Sequence, residues 1–350
     1  MAALAGPEKV HDWEGIVLQA AKRVIPSLRE NGYGVVDNAL GYAVASTLQE
    51  EALSLSEKEG GFSEHLFRFG KSAAQVRKPH IFEADLHDKR LASLPCLRHF
   101  RELFDSTAFQ KAFDSSLPEL ALQDGTTGTA IKLQLNKGKG GCFPFHYDNP
   151  GPPNKRALTA IIYLNKSWTP ENGGELELQP FLGSPVIIPP LMDRMVVFYS
   201  DRILHRVRPS HCQRLCFSVW IDSASVNQSH DVHLKAKHIA ITDDHSAERA
   251  ADFFRSTPLQ RVISRALYDK EYEGSLRDMH SSSAAEADSR VSARLLAEHR
   301  AHVSALTGNA ALAPFLAALA PFKETALSDD PAIKGRGAAA AELDEPPITP

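Results

Sequence analysis

Residues 129–165 read TAIKLQLNKGKGGCFPFHYDNPGPPNKRALTAIIYLN, and the fold class turns on them. Two apolar runs, Ala130–Leu135 and Leu158–Leu164, bracket a stretch punctuated by Gly, Pro and Asn. Runs this short, bounded by turn formers, read as strands rather than helices. The same texture continues through Gly174–Leu178, Val186–Ile188, Met195–Tyr199 and Leu215–Ile221. Many short strands separated in this way predict a sandwich or a barrel. The change of character falls at about Thr129, after the turn-prone Gly125-Thr126-Thr127-Gly128.

Outward from this block the pattern is helical. Trp13, Ile16, Val17, Ala20, Ala21 and Val24 recur at helical spacing over Trp13–Arg29, and Asn31-Gly32 supplies a stop. A short strand at Tyr33–Val36, a helix ending near Lys58 and a third helix between Leu91 and Phe113 complete a layer suited to covering a sheet. On the C-terminal side, Ala247–Phe254, Leu259–Tyr268 and Ser289–Leu306 carry helical patterns. From about Ser328 the chain is poor in apolar residues and rich in proline, which predicts a disordered tail. The expected organisation is a support region over 1–128, a core over 129–223, a helical extension over 224–327 capping that core, and a tail over 328–350.

The 350 residues, 43% of them hydrophobic, suffice for a genuine core. With 39 Lys and Arg against 43 Asp and Glu there is no electrostatic footprint for nucleic acid or an anionic membrane. Cys96, Cys142, Cys212 and Cys216 form no C-x-x-C pair and no disulfide framework. The N-terminus lacks the apolar run of a secretory signal, and no stretch is long and apolar enough to span a bilayer. The expectation is a soluble intracellular protein, in cytoplasm or nucleus.

Chemistry concentrates at Gly140–Pro150, GGCFPFHYDNP. His146 and Asp148, two apart where a β-rich run meets a loop, can offer an imidazole and a carboxylate to one metal ion. His205, after the strand Met195–Tyr199 and the turn-like Ser200-Asp201-Arg202, can supply a third ligand. Two histidines and one carboxylate form a facial triad that leaves positions open on non-haem Fe(II), whereas zinc more often takes a closed or thiolate-containing set. A single HxD among 15 histidines is weak by itself, since a surface His or capped turn produces the same pattern. Its neighbours strengthen it. In the strand opened by Arg214, alternation puts Arg214, Cys216, Ser218 and Trp220 on one face and Leu215, Phe217, Val219 and Ile221 on the other. Arg214 can grip a carboxylate in two-point fashion, with the Ser218 hydroxyl as a further donor. Cys142, Cys212 and Cys216 read as small buried hydrophobes, and His211, His230, His233 and His238 as surface residues.

The ordered run HYDNP, AIIYLNKSW (160–168), NGGEL (172–176), Asp193-Arg194 to Arg202, His205-Arg206-Val207 and Arg214–Trp220 is similar to the catalytic core of the hypoxia-type prolyl hydroxylases, in the iron(II)- and 2-oxoglutarate-dependent dioxygenase superfamily. The resemblance is strong over about 130–222 and fainter over Asn31–Gly41. It implies an α+β protein with a double-stranded β-helix, or jelly-roll, core and the iron at the open end of the barrel. It also implies His146, Asp148 and His205 as metal ligands, Arg214 and Tyr163 as partners of the far carboxylate of 2-oxoglutarate, and Leu176 and Trp220 as apolar pocket walls. Ser218 stands where the family usually has Thr. The implied cofactors are Fe(II), 2-oxoglutarate and dioxygen, with ascorbate a further candidate, and the implied partner is a protein or peptide substrate. Three departures stand out: Asn136 where the family has a tyrosine beside the iron, Phe145 in place of an Arg before the first histidine, and a longer loop, Gly151–Arg156, after the HxD.

The leading expectation is an enzyme that hydroxylates a prolyl residue of a protein. A dioxygenase acting on another side chain or a small molecule shares the same triad. Outside oxygenase chemistry stand an inactive jelly-roll interaction module and a zinc or hydrolytic site built from the same three ligands.

Overall fold

A computed structural model describes residues 11–68, 75–225, 234–279, 281 and 286–328. The expected tail from 329 onward, His230 and His233 lie outside the described residues. Eleven strands are described: β1 Tyr33–Val36, β2 Ser63–Arg68, β3 Gln75–Asp85, β4 Thr129–Asn136, β5 Gly141–His146, β6 Arg156–Tyr163, β7 Leu176–Gln179, β8 Val186–Ile188, β9 Met195–Tyr199, β10 Leu204–Ser210 and β11 Arg214–Asp222. They form two antiparallel sheets, ordered β1-β9-β6-β11-β4-β3-β2 and β5-β10-β7-β8. Face to face, these sheets make the jelly-roll arrangement expected from the sequence.

On the N-terminal side, α1 (Trp13–Asn31), α2 (Tyr42–Ser56), α3 (Arg98–Ser106) and α4 (Ala108–Asp114) cover the outer face of the large sheet. α1 is capped by the Asp12 carboxylate, which accepts from the Gly15 amide, and ends at Gly32 in a left-handed conformation. The single helix expected over Leu91–Phe113 is instead a 3-10 turn at Pro95–Leu97 followed by α3 and α4. Pro95 opens the turn, and Thr107, at φ 52°, breaks the ladder between the two helices.

The alternation in β11 sorts the layers. Leu215, Phe217, Val219 and Ile221 pack into the core shared with α1–α4, whereas Cys216 joins Ile161, Tyr163, Leu176, Leu178, Val196 and Phe198 in the core between the sheets. The C-terminal helices are α5 (Ala236–Ile239), α6 (Ser246–Ser256), α7 (Gln260–Leu267), α8 (Asp269–Asp278), α9 (Glu286–Thr307) and α10 (Leu312–Ser328). Ala251, Phe254, Ile263, Tyr268 and Phe315 share a core with Phe145 and Leu204 of the small sheet. The helices therefore cap the barrel through a common core. Among the described residues, no single helix is long and apolar enough to cross a membrane.

Candidate active site

His146 ends β5 and His205 lies near the start of β10, and the antiparallel register sets them directly opposite each other. Cross-strand partners have Cβ atoms about 5 Å apart, and the two imidazole centroids are 4.3 Å apart. Asp148 follows two residues after β5, with Oδ1 3.5 Å from His146 Nε2 and 3.8 Å from His205 Nε2. Neighbouring donors on one ion with bonds of about 2.1 Å lie roughly 3 Å apart, so this set needs only a small contraction to hold a metal. The ligand atoms all lie within 4.8 Å of one another.

Surrounding hydrogen bonds fix which atoms face inward. His146 Nδ1 donates to the Pro144 carbonyl at 2.8 Å and His205 Nδ1 to the Ile203 carbonyl at 3.1 Å, leaving each Nε2 as a lone-pair donor. Asp148 Oδ2 accepts from Thr159 Oγ1 at 2.7 Å and from Trp220 Nε1 at 2.9 Å, which leaves Oδ1 for the metal. Burial opposes a charge on Asp148, yet His205, His146 and Arg156 outweigh it and hold the carboxyl well below the ordinary range. Burial, with His146 beside it, brings His205 down to about 4, which keeps its imidazole neutral and able to ligate.

Arg214 and Tyr163 lie deeper between the sheets. Arg214 is buried, with Nε donating to the Gly174 carbonyl at 2.8 Å, Nη1 to Cys216 Sγ at 3.3 Å, and the guanidinium 5.0 Å from the Tyr163 ring centre. Among the described residues it has no carboxylate partner. Burial raises the pKa of Tyr163; Arg214 is near enough to oppose that, but no well-formed hydrogen bond reaches the buried phenol oxygen. A buried guanidinium without a counter-anion beside an orphaned hydroxyl is suited to a carboxylate. The donor set and this pair fit Fe(II) and 2-oxoglutarate respectively.

A cavity of about 560 Å³ opens over the three ligands, and Leu176, Ser218 and Trp220 line it, as do Ile161 and Val207. Arg214 and Tyr163 are not on its wall. Cys216 pairs with Tyr163 and Ser218 with Ile161, so both expected carboxylate partners lie beyond its inner end. Asn136 is also off the wall: its Nδ2 donates to the Gly141 carbonyl at 2.7 Å and its Oδ1 accepts from the Gly138 amide at 3.0 Å, closing the β4–β5 turn. Gln134 and Lys132, on the same face of β4, line the cavity instead.

Several lining groups had no sequence signal. Lys78 and Glu83 come from β3, His65 and Phe67 from β2, Arg261 and Arg265 from α7, Tyr272 from α8 and His302 from α9. Thr159 could have been found, as a polar residue in an otherwise apolar strand. The loop after the HxD is tied to the cap, since Arg261 donates to the Asn149 carbonyl at 3.0 Å and the Tyr147 hydroxyl lies 2.7 Å from Ser264 Oγ.

Residues 132–222 match the model of the 2OG-Fe(II) oxygenase superfamily. The hypoxia-inducible factor prolyl hydroxylase of Caenorhabditis elegans is 32% identical over 210 residues, which cover 57% of this chain and 28% of that one. Human Egl nine homolog 1 is 37% identical over 214 residues, 57% of this chain and 46% of that one. The chain thus spans less than half the length of these two curated relatives. A solved prolyl 4-hydroxylase from Phytophthora capsici superposes with a TM-score of 0.72 at 35% identity, covering 93% of this chain and 99% of that one. With these relatives, a double-stranded β-helix core and a His-Asp-His centre at its open end, the chain belongs to the 2OG-Fe(II) oxygenase superfamily.

Proposed function

We propose that this protein is an Fe(II)- and 2-oxoglutarate-dependent dioxygenase that hydroxylates a prolyl residue of a protein or peptide. The observation that carries the reading is the convergence of His146 Nε2, His205 Nε2 and Asp148 Oδ1 at the cavity, with the Arg214–Tyr163 pair beyond its inner end. His146, Asp148 and His205 hold the metal. Arg214 and Tyr163 hold the far carboxylate of 2-oxoglutarate, while Leu176, Ser218 and Trp220 flank its path. When bound, Fe(II) and 2-oxoglutarate supply the oxidation, with one atom of dioxygen entering the substrate C–H and the other ending in succinate as carbon dioxide leaves.

The chain's own contribution is positioning. Thr159 and Trp220 keep one Asp148 oxygen turned away from the metal, and the Pro144 and Ile203 carbonyls aim the imidazoles. The apolar faces of Phe143, Ile161, Leu176 and Val207 limit water around the reacting groups. The prolyl specificity rests on the relatives from Caenorhabditis elegans and Phytophthora capsici, both named prolyl hydroxylases.

The test is an anaerobic titration of the Fe(II)-loaded protein with 2-oxoglutarate, read as a metal-to-ligand charge-transfer band, followed by aerobic incubation with proline-containing peptides and mass spectrometry. A band followed by a one-oxygen mass gain on proline is the expected result. No band from iron-loaded protein removes the dioxygenase reading. A band with oxygen placed only on another residue removes the prolyl half.

A further inference from the structure

Lys78 projects from β3 into the cavity wall and is 6% exposed. Its Nζ sits 3.8 Å from the Phe143 ring centre and 4.9 Å from that of Phe67. Among the described residues it forms no hydrogen bond or ion pair. Glu83 is the carboxylate whose charge it feels most, but the Glu83 oxygens are occupied, one 2.8 Å from His65 Nδ1 and the other accepting from Lys132 Nζ at 3.2 Å. Asp148, the next, is already held by Thr159 and Trp220 and faces the histidines. A buried ammonium cradled by two aromatic faces without an anion is costly, and burial accordingly draws its pKa down to about 7.

An incoming carboxylate would relieve that cost, and two sources are available: the co-substrate and the substrate. The co-substrate does not need Lys78. The two charges of Fe(II) and that of Arg214 balance Asp148 and the two carboxylates of 2-oxoglutarate, so the loaded centre is neutral without it. The rest of the wall leans the same way, because Lys132, Arg156, Arg261 and Arg265 line the cavity against Glu83 and Asp148.

We propose that Lys78 is a specificity-determining residue that pairs with an acidic side chain of the substrate polypeptide close to the residue being hydroxylated. This deepens the reading above and rests on it. The pair forms in a site screened by Phe67 and Phe143, where a charge-assisted bond discriminates strongly against the uncharged isostere.

The experiment uses the full chain, anaerobic and loaded with Fe(II) and 2-oxoglutarate, with fluorescent proline-centred peptides in matched pairs carrying Asp or Asn at each flanking position. Binding is read by anisotropy, without turnover. Wild type is expected to favour one Asp peptide by about tenfold or more. Lys78→Met should abolish that preference while keeping the 2-oxoglutarate charge-transfer titration and without lowering thermal stability, and Lys78→Arg should restore part of it. Equal binding of Asp and Asn peptides by wild type, or a preference that survives in Lys78→Met, overturns the proposal. Weakened 2-oxoglutarate binding in Lys78→Met with the peptide preference intact also overturns it, and assigns Lys78 to the co-substrate. Because the wild-type band is recorded first, failure of the dioxygenase reading is seen separately from failure of the Lys78 assignment.

Discussion

Replacing Thr159 by Val, or Trp220 by Phe, should weaken metal binding although neither residue touches the metal. Both donate to Asp148 Oδ2, at 2.7 and 2.9 Å, and so keep Oδ1 facing the histidines. A hydrogen bond to a charged group contributes about 1.5–3 kcal/mol, and loss of a partner that orients a ligand typically costs about 10- to 100-fold in metal affinity. Each variant is therefore expected to fall in that range, measured anaerobically by competition with a chromogenic chelator for Fe(II). Thr159→Val also strips the buried Ser200 hydroxyl of its 2.8 Å partner, a stability cost of about 1 kcal/mol that thermal melting measures separately. Thr159→Ser keeps the hydroxyl and should retain most of the affinity. Wild-type affinity in both Thr159→Val and Trp220→Phe, with the fold intact, would refute the idea that these two residues set the carboxylate.

Arg214→Met should raise the 2-oxoglutarate concentration needed for half of the charge-transfer band by about 100-fold or more, since it leaves the incoming carboxylate without its buried cation. Lys78 gives a pH dependence whose sign is fixed: its folded pKa, about 7, lies below the ordinary 10.5, so the unfolded chain binds more protons between those values and stability rises with pH. Urea denaturation should show about 2 kcal/mol from this source between roughly pH 7 and pH 9, and Lys78→Met should flatten it. Asn136→Ala leaves the Gly138 amide and the Gly141 carbonyl without their side-chain partner; chemical denaturation should register a loss of about 2 kcal/mol.

The sequence was most legible where the chain is apolar on a simple period. Tyr33–Val36, Val186–Ile188 and Met195–Tyr199 are strands with the expected ends, and β11 divides its faces between two cores as its alternation requires. The two strands carrying the histidines were hidden. β5 contains Gly141 and Pro144, and β10 contains Pro209, residues that ordinarily argue against a strand, and Arg206 and Arg208 leave β10 without an apolar run. Tertiary contacts override those preferences: Arg206 and Arg208 both pair with Glu177 on neighbouring β7, at 2.7 and 2.8 Å, and the Phe145 amide donates to Ser275 of α8. β2 and β3 were missed for a related reason, since their charged residues answer to groups distant in sequence. His65, Glu83 and Lys132 make sense only as one cross-strand network.

This division has a physical basis in how the site is built. The two histidines and Arg214 are held by paired strands whose register permits little freedom, and Asp148 follows directly after one of them, so chemistry that needs close geometry falls on positions a motif can reveal. The rest of the cavity wall comes from β2, β3, α7, α8 and α9, which approach the centre from chain segments on both sides of the core. A residue such as Lys78 can change there without moving a metal ligand, because it touches Phe67 and Phe143 rather than the triad. The proposed role of Lys78 thereby makes substrate choice separable from oxygenase chemistry in this fold. The centre is read from HxD, His and Arg spacing, whereas its selectivity depends on contacts that exist only once helices and strands are packed around it.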